Sequence, residues 1–316
     1  MRKLIMLMGA TALALTAGFS GVAQAGHGTV VQETTGTVSP TFLPKSIYKN
    51  VNLNIVTSVR DGSDPAACSG ASPPGAGTCT IPTKADHAYI DFDPNLKFNT
   101  NAAGRCSLAS INGKTDEDAR ASCPQGIVGS GGATATAGDP GDPAIAYITG
   151  IKVTAFNSLT PGVLFLHVDL SGLSFDLIGT LVNSPVAGFG KRLDVPVIDT
   201  GSILTRFQTL INKPGYVQAK CPNSPINFRG LFTYSERGDE GGGVPIYPAS
   251  AIGASAVPCT KNIAPFRACK RKALRAFRRK KRKAIRNLSG PARTRAIRRA
   301  KRQKNRALRR CRRLHL

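Results

Sequence analysis

The chain is predicted to be all-β, an antiparallel β-sandwich of immunoglobulin-like or related kind, followed by a C-terminal basic two-helix hairpin. Three observations predict this. Residues 42–236 alternate short β-rich runs with clusters of Pro, Gly, Asn and Asp, the spacing of strands and turns in sandwiches and barrels. No strand–helix–strand rhythm runs through them, which argues against a parallel nucleotide-binding sheet. From residue 266 onward the composition changes abruptly: 24 Lys and Arg, no Asp or Glu, and many strong helix formers.

The elements follow in order. Residues 1–25 read as a secretory signal peptide: Arg2 and Lys3 form a charged start, an apolar run follows, and Ala23-Gln24-Ala25 fits a cleavage triplet. No later run is long and apolar enough to span a bilayer as a helix. The expected location is therefore secreted, extracellular or associated with the cell envelope. Residues 26–41 read as a flexible N-terminal segment. In VNLNIVTSV (51–59), Val51, Leu53, Ile55 and Thr57 share one face of a strand. AYIDF (88–92), AYITGIKVTAF (146–156), VLFLHVDL (163–170), RLDVPVI (192–198), LTRFQTLI (204–211) and INFRGLFTYSE (226–236) continue the series. The Gly-rich stretch after Gly126 reads as a strand with a bulge. Two insertions interrupt the strands. Residues 61–84 are a Gly/Pro/Ser loop. Residues 99–125 hold TDEDARASC, a short helix that Thr115 caps and whose N-terminus suits Asp116, Glu117 and Asp118. Residues 237–265 are Gly/Pro/Ala-rich and read as a linker.

The cysteines agree with export. Eight of them, an even number, suggest disulfides. Sequence leaves many connectivities open; pairing neighbours, Cys68–Cys79, Cys106–Cys123, Cys221–Cys259 and Cys269–Cys311, is the simplest. No C-x₂-C pair is present and the four histidines are scattered, which disfavours zinc.

A resemblance appears in the strand region. LPKSIYKNVNLNIVTSV, AYIDFDPNLKFNT, CPQGIVGSGGATA, GFGKRLDVPVI, GSILTRF and YVQAKCPNSPINFRGLFTYSERG resemble the pattern of an uncharacterised family of secreted β-rich proteins of high-GC Gram-positive bacteria. The resemblance covers about 42–236. It implies export and a β-rich domain, and it carries no activity or catalytic residues.

Candidate chemistry is sparse. Gly113-Lys114-Thr115 echoes the end of a phosphate-binding loop, but Leu108 stands where that motif needs Gly. Gly129-Ser130-Gly131 departs from the hydrolase elbow, and nothing in the spacing brings His87 or His167 to Ser130. Asp91, Asp93, Asn95 and Asn99 put oxygen ligands at spacings that suit a weak calcium site, though Leu96 and Ala102 break the EF-hand pattern. A strand ending in an Asx-Pro turn uses the same residues. Arg237-Gly238-Asp239 matches a short adhesion motif at the level of chance. Asp169 and Asp194 read as strand-face carboxylates. No catalytic residue and no cofactor is indicated.

The tail is the strongest signal. Outside residues 266–316 the chain holds 19 basic residues against 18 acids, so the net charge of +25 is concentrated at one end. Leu274, Phe277, Ile285 and Leu288 form a thin apolar stripe at helical spacing, and Asn287-Leu288-Ser289-Gly290-Pro291 stops the helix. A second helix from about 291 to 313 carries Ala296, Ile297, Ala300, Ala307, Leu308, Cys311 and Leu314. Folding at Gly290 sets Cys269 opposite Cys311 and Ile285 opposite Ile297, a disulfide-closed, coiled-coil-like hairpin. The polyanion-binding candidates are Lys270, Arg271, Arg275, Arg278, Arg279, Lys280, Arg282, Lys283 and Arg286 on the first helix. On the second they are Arg295, Arg298, Arg299, Arg302, Arg306, Arg309 and Arg310. Arg suits phosphate through its planar fork, and so few aromatics argue against base stacking. The expected partners are anionic cell-envelope polymers, anionic lipid headgroups or extracellular nucleic acid, bound non-specifically. The expected function is a non-enzymatic binding or structural protein. Two alternatives are a secreted enzyme or calcium-binding domain with the tail as anchor, and a membrane-active cationic protein.

Overall fold

Apolar residues at alternate positions build strands, and about half of the described residues lie in them. In chain order they are β1 (Val30–Ser39), β2 (Phe42–Leu43), β3 (Lys49–Asn50), β4 (Asn52–Asp61), β5 (Ala85–Phe92), β6 (Leu96–Phe98), β7 (Ile127–Ala137) and β8 (Ala146–Asn157). They continue with β9 (Val163–Leu170), β10 (Leu173–Asn183), β11 (Lys191–Pro196), β12 (Ile203–Ile211), β13 (Val217–Ala219), β14 (Ile226–Tyr234), β15 (Ser250–Val257) and β16 (Thr260–Lys261). The helices are α1 (Asp116–Ser122), α2 (Ala264–Asn287) and α3 (Gly290–His315). The computed structural model describes residues 30–61, 84–137, 146–170, 173–198, 202–234, 250–261 and 264–315. The expected signal peptide, the Cys68–Cys79 pair and Arg237-Gly238-Asp239 lie outside the described residues.

Eleven strands form one sheet in the order β1-β4-β12-β7-β8-β9-β10-β11-β5-β14-β15, every neighbour antiparallel. The sheet curls until its edges meet. The Gly36 N–H on β1 donates to Ser255 Oγ on β15 at 2.9 Å. Gly253 lies so close that a Cβ there would sit 2.6 Å from the Thr34 nitrogen. The result is a nearly closed, barrel-like sheet: the expected antiparallel β class and two C-terminal helices are present, and the main sheet is barrel-like where an Ig-like sandwich was expected. Inward side chains face one another across a single curled sheet. Irregular register between Ile127 and Gly129, Ala133 and Ala135, and Leu204 and Arg206 marks bulges that increase twist and curvature. Gly131 permits the tight approach of β7 to β12: a Cβ would fall 1.8 Å from the Gln208 carbonyl oxygen.

The segments read as a flexible N-terminus (26–41) and a linker (237–265) hold strands among their described residues. The N-terminal segment 26–41 contains β1, whose inward residues Val30, Gln32, Thr34 and Val38 are buried. Its inner face is half polar, so its alternation is faint in sequence. The supposed linker 237–265 contains β15 and β16, and α2 begins within it. Ser250–Val257 is built of Ser, Ala and Gly with few large side chains, because β1 crosses against it.

One end of the barrel is closed by the small sheet β3-β13-β6, where Leu96, Tyr216, Val217 and Ala219 are buried in the main core. α1 lies on the outer face of β8 and β9. It is capped by Thr115, whose hydroxyl accepts from the Asp118 N–H as expected, and tied down by the Cys106–Cys123 disulfide. A second core of Ile111, Ala119, Phe156 and Phe165 lies beneath it. β9 is therefore buried on both faces.

Candidate functional site

The basic segment forms the expected hairpin. α2 and α3 have 24 and 26 residues, about 36–39 Å each at 1.5 Å per residue. Gly290, at a φ of 51°, makes the left-handed turn between them, and the Arg293 side chain donates to the Leu288 carbonyl at 2.7 Å. Cys269 and Cys311 are bonded at the open end. Cys221–Cys259 is the third described disulfide, so all three expected pairings among the described cysteines occur.

The seam differs in one respect from expectation. Ala284 and Ala300 are its buried residues near the turn, whereas Ile285 and Leu288 are 44% and 39% exposed. Small side chains let the helices approach closely, and the approach turns Ile285 outward. Leu274, Phe277, Ile297 and Leu308 are half-buried along the seam. Lys304 Nζ lies 5.2 Å over the Phe277 ring, and Lys280 donates to Gln303 across the helices at 2.6 Å. All sixteen predicted cations are exposed. No Asp or Glu occurs in residues 266–316 to neutralise them, so their fields add.

The second feature is the barrel interior. It encloses a cavity of about 170 Å³ lined by Leu53, Ile55, Leu164, Leu166, Val168, Leu177, Val195 and Phe207 among others. Phe98 and Tyr216 lie at its closed end. At the other end β4 finishes, β5, β10 and β12 begin, and Leu173 and Ile198 are 58% and 46% exposed. Interiors are ordinarily packed with few voids larger than a water.

The outer face carries two polar clusters. Asp91 is wholly buried and receives Arg192 through Nε at 2.8 Å and Nη2 at 2.9 Å, Arg229 at 2.8 Å and Ser184 at 2.7 Å. Burial alone would raise its pKa; the bonds from Arg192, Ser184 and Arg229 outweigh it and hold the carboxyl below its usual value. Arg192 also lies over Tyr89 at 4.9 Å, Tyr89 stacks on His87, and His87 pairs with Asp194.

The second cluster crosses the strands. Ser130, Thr154, His167 and Asp176 stand opposite one another on β7, β8, β9 and β10. His167 Nδ1 bonds Asp176 at 2.8 Å with the ring fully buried. Burial lowers the imidazole pKa, but Asp176, with Asp116 and Asp169 nearby, raises it further than burial lowers it. Ser130 is two strands from His167, about 9.5 Å at the usual spacing, so the row is not a nucleophile–base pair. Thr154 donates to Asp116 and accepts from Arg120, while Asp169 accepts the Asp116 N–H at 2.8 Å. The cluster anchors α1.

The calcium candidates each hold hydrogen bonds within the protein. Asp91 is engaged by the two arginines. Asp93 accepts from the Asn95 backbone and side chain at 2.9 and 2.8 Å and from the Asn227 N–H at 3.0 Å, as an Asx turn does. Asn99 caps the short 3₁₀ turn Thr100–Ala102. Among the described residues no group of three or more His, Cys, Asp or Glu is placed to hold a metal ion. No described helix is long and apolar enough to cross a membrane.

Comparison with known proteins returned no match to any family, curated protein or solved structure. Function therefore has to be argued from the hairpin and the barrel. The sequence pointed to the hairpin; it missed the cavity, whose signal was the run of inward Leu, Val and Phe at alternate positions of 164–170 and 173–181.

Proposed function

We propose that this chain is a secreted, non-enzymatic binding protein whose cationic hairpin holds the barrel at an anionic surface. The surface is an anionic envelope polymer, an anionic lipid headgroup layer or extracellular nucleic acid, all of which present phosphate or carboxylate arrays. One observation carries the reading: a disulfide-closed pair of helices presents sixteen named exposed cations with no acid among them. Such an object attracts polyanions by Coulomb force and counterion release, without sequence readout. The described disulfides support export.

The test titrates the whole chain, and a chain ending at residue 262, against phosphatidylglycerol vesicles and duplex DNA over a salt series. The whole chain is expected to bind both, with a log–log salt slope on DNA of about −0.9 per neutralised phosphate. Equal binding by the shortened chain would move the surface-binding role to the barrel and end this reading.

A further inference from the structure

The barrel interior is independent of the hairpin and has a property that packing does not explain. Thr209 on β12 lines the cavity, is 7% exposed, and its hydroxyl has no hydrogen-bond partner. It stands opposite Ile55 on β4 and Gly131 on β7, near the closed end. A buried hydroxyl without a partner is unfavourable, and selection tolerates one most readily where something else completes it. The surrounding wall is mostly hydrocarbon, which offers water few of the polar partners it needs.

We propose that the barrel binds a neutral, mostly hydrocarbon ligand bearing one hydrogen-bonding oxygen, the Thr209 side chain turning about χ1 to bring its occluded hydroxyl onto that oxygen. Three features define this class. The wall selects hydrocarbon. The charged residues lining the cavity are Lys84 and Arg206; Lys84 immediately precedes β5, and Arg206 pairs with Ser58 near the end of β4. Both therefore belong toward the open end, and an ionised headgroup at Thr209 would be buried without compensation. The volume selects a small body: an apolar cavity of about 150 Å³ accepts benzene, so about 170 Å³ holds a ring or short chain. A longer chain would continue toward the mouth past Leu173 and Ile198, whose exposed side chains extend the apolar path.

The experiment loads the whole chain with the neutral fluorophore naphthalene, whose two fused rings fit the cavity, and displaces it with 1-octanol or octane. Thr209→Val keeps the shape and removes the hydroxyl. It is expected to weaken octanol about three- to tenfold, the scale of one hydrogen bond, and to leave octane unchanged. Ala88→Phe, which fills the cavity from β5, is expected to abolish uptake of the fluorophore while circular dichroism shows the fold retained. The proposal is overturned if the wild-type chain takes up no fluorophore. It is also overturned if Thr209→Val changes octanol and octane alike or neither, or if folded Ala88→Phe binds as the wild type does.

Discussion

The hairpin's dependence on its disulfide can be put to a quantitative test. Replacing Cys269 and Cys311 with Ser opens a loop whose ends are 42 residues apart in sequence. In the chain-entropy account, closing a loop of that length stabilises by about 4 kcal/mol. Little else is available to hold the helices together. Ala284, Ala300 and Cys311 are the seam's fully buried apolar residues, and fully burying a large apolar side chain contributes only about 1.5–3 kcal/mol. Leu274, Phe277, Ile297 and Leu308 are half-buried and contribute less each. Against them stand 24 like charges. Without the bridge the helices should separate at low ionic strength. The assay is ellipticity at the helical minimum, together with trypsin cleavage after the tail's own Lys and Arg. The double variant should lose helical signal, be cut faster, and regain both properties when polyphosphate is added. Unchanged ellipticity and unchanged protease resistance at low salt would refute the argument and show that the alanine seam suffices.

Two further outcomes follow from the polar clusters. Asp91→Ala leaves Arg192 and Arg229 facing each other without their carboxylate and should cost about 3–5 kcal/mol in urea unfolding; a loss below about 1 kcal/mol would mean that solvent already compensates the pair. Because the Asp91 pKa is depressed, its contribution is present above its ordinary value of 3.8 and is lost as pH falls through the lower folded value. His167 has the opposite sign. Its raised pKa means that its contribution is complete below 6.5 and disappears as pH rises through the higher folded value. His167→Gln should flatten that alkaline fall in the urea midpoint, and an unaltered pH profile would exclude the His167–Asp176 pair as its source.

The legible parts of this protein share a physical character: each is local. Strands such as Asn52–Asp61 alternate clearly because one face is apolar and the other is not. Thr115 caps α1 through atoms three residues apart. The helices stop at Gly290 because the left-handed turn is a property of that one residue. The hairpin's cysteines fall opposite each other because two straight helices and one turn leave little freedom. Charge asymmetry is also local, since 24 cations in one segment need no fold to be noticed.

What was hidden depends on partners remote in sequence. β15 is Ser, Ala and Gly with little pattern, yet it is a strand because β14 supplies its ladder and β1 crosses over it. Asp91 was a weak calcium candidate in sequence; its partners, Arg192 and Arg229, come from two other strands and could not be read from the sequence. Ile285 looked like a seam residue until the helix approach, set by Ala284 and Ala300, turned it outward. By itself the sequence determined a β-rich body with a cationic, disulfide-closed helical tail, because periodicity, capping and charge act over a few residues. Only the tertiary structure decided that the strands form one curled sheet around a cavity rather than two stacked sheets. Inward-facing residues have the same alternation in both, and bulges, close glycine approaches and the meeting of β1 with β15 choose between them.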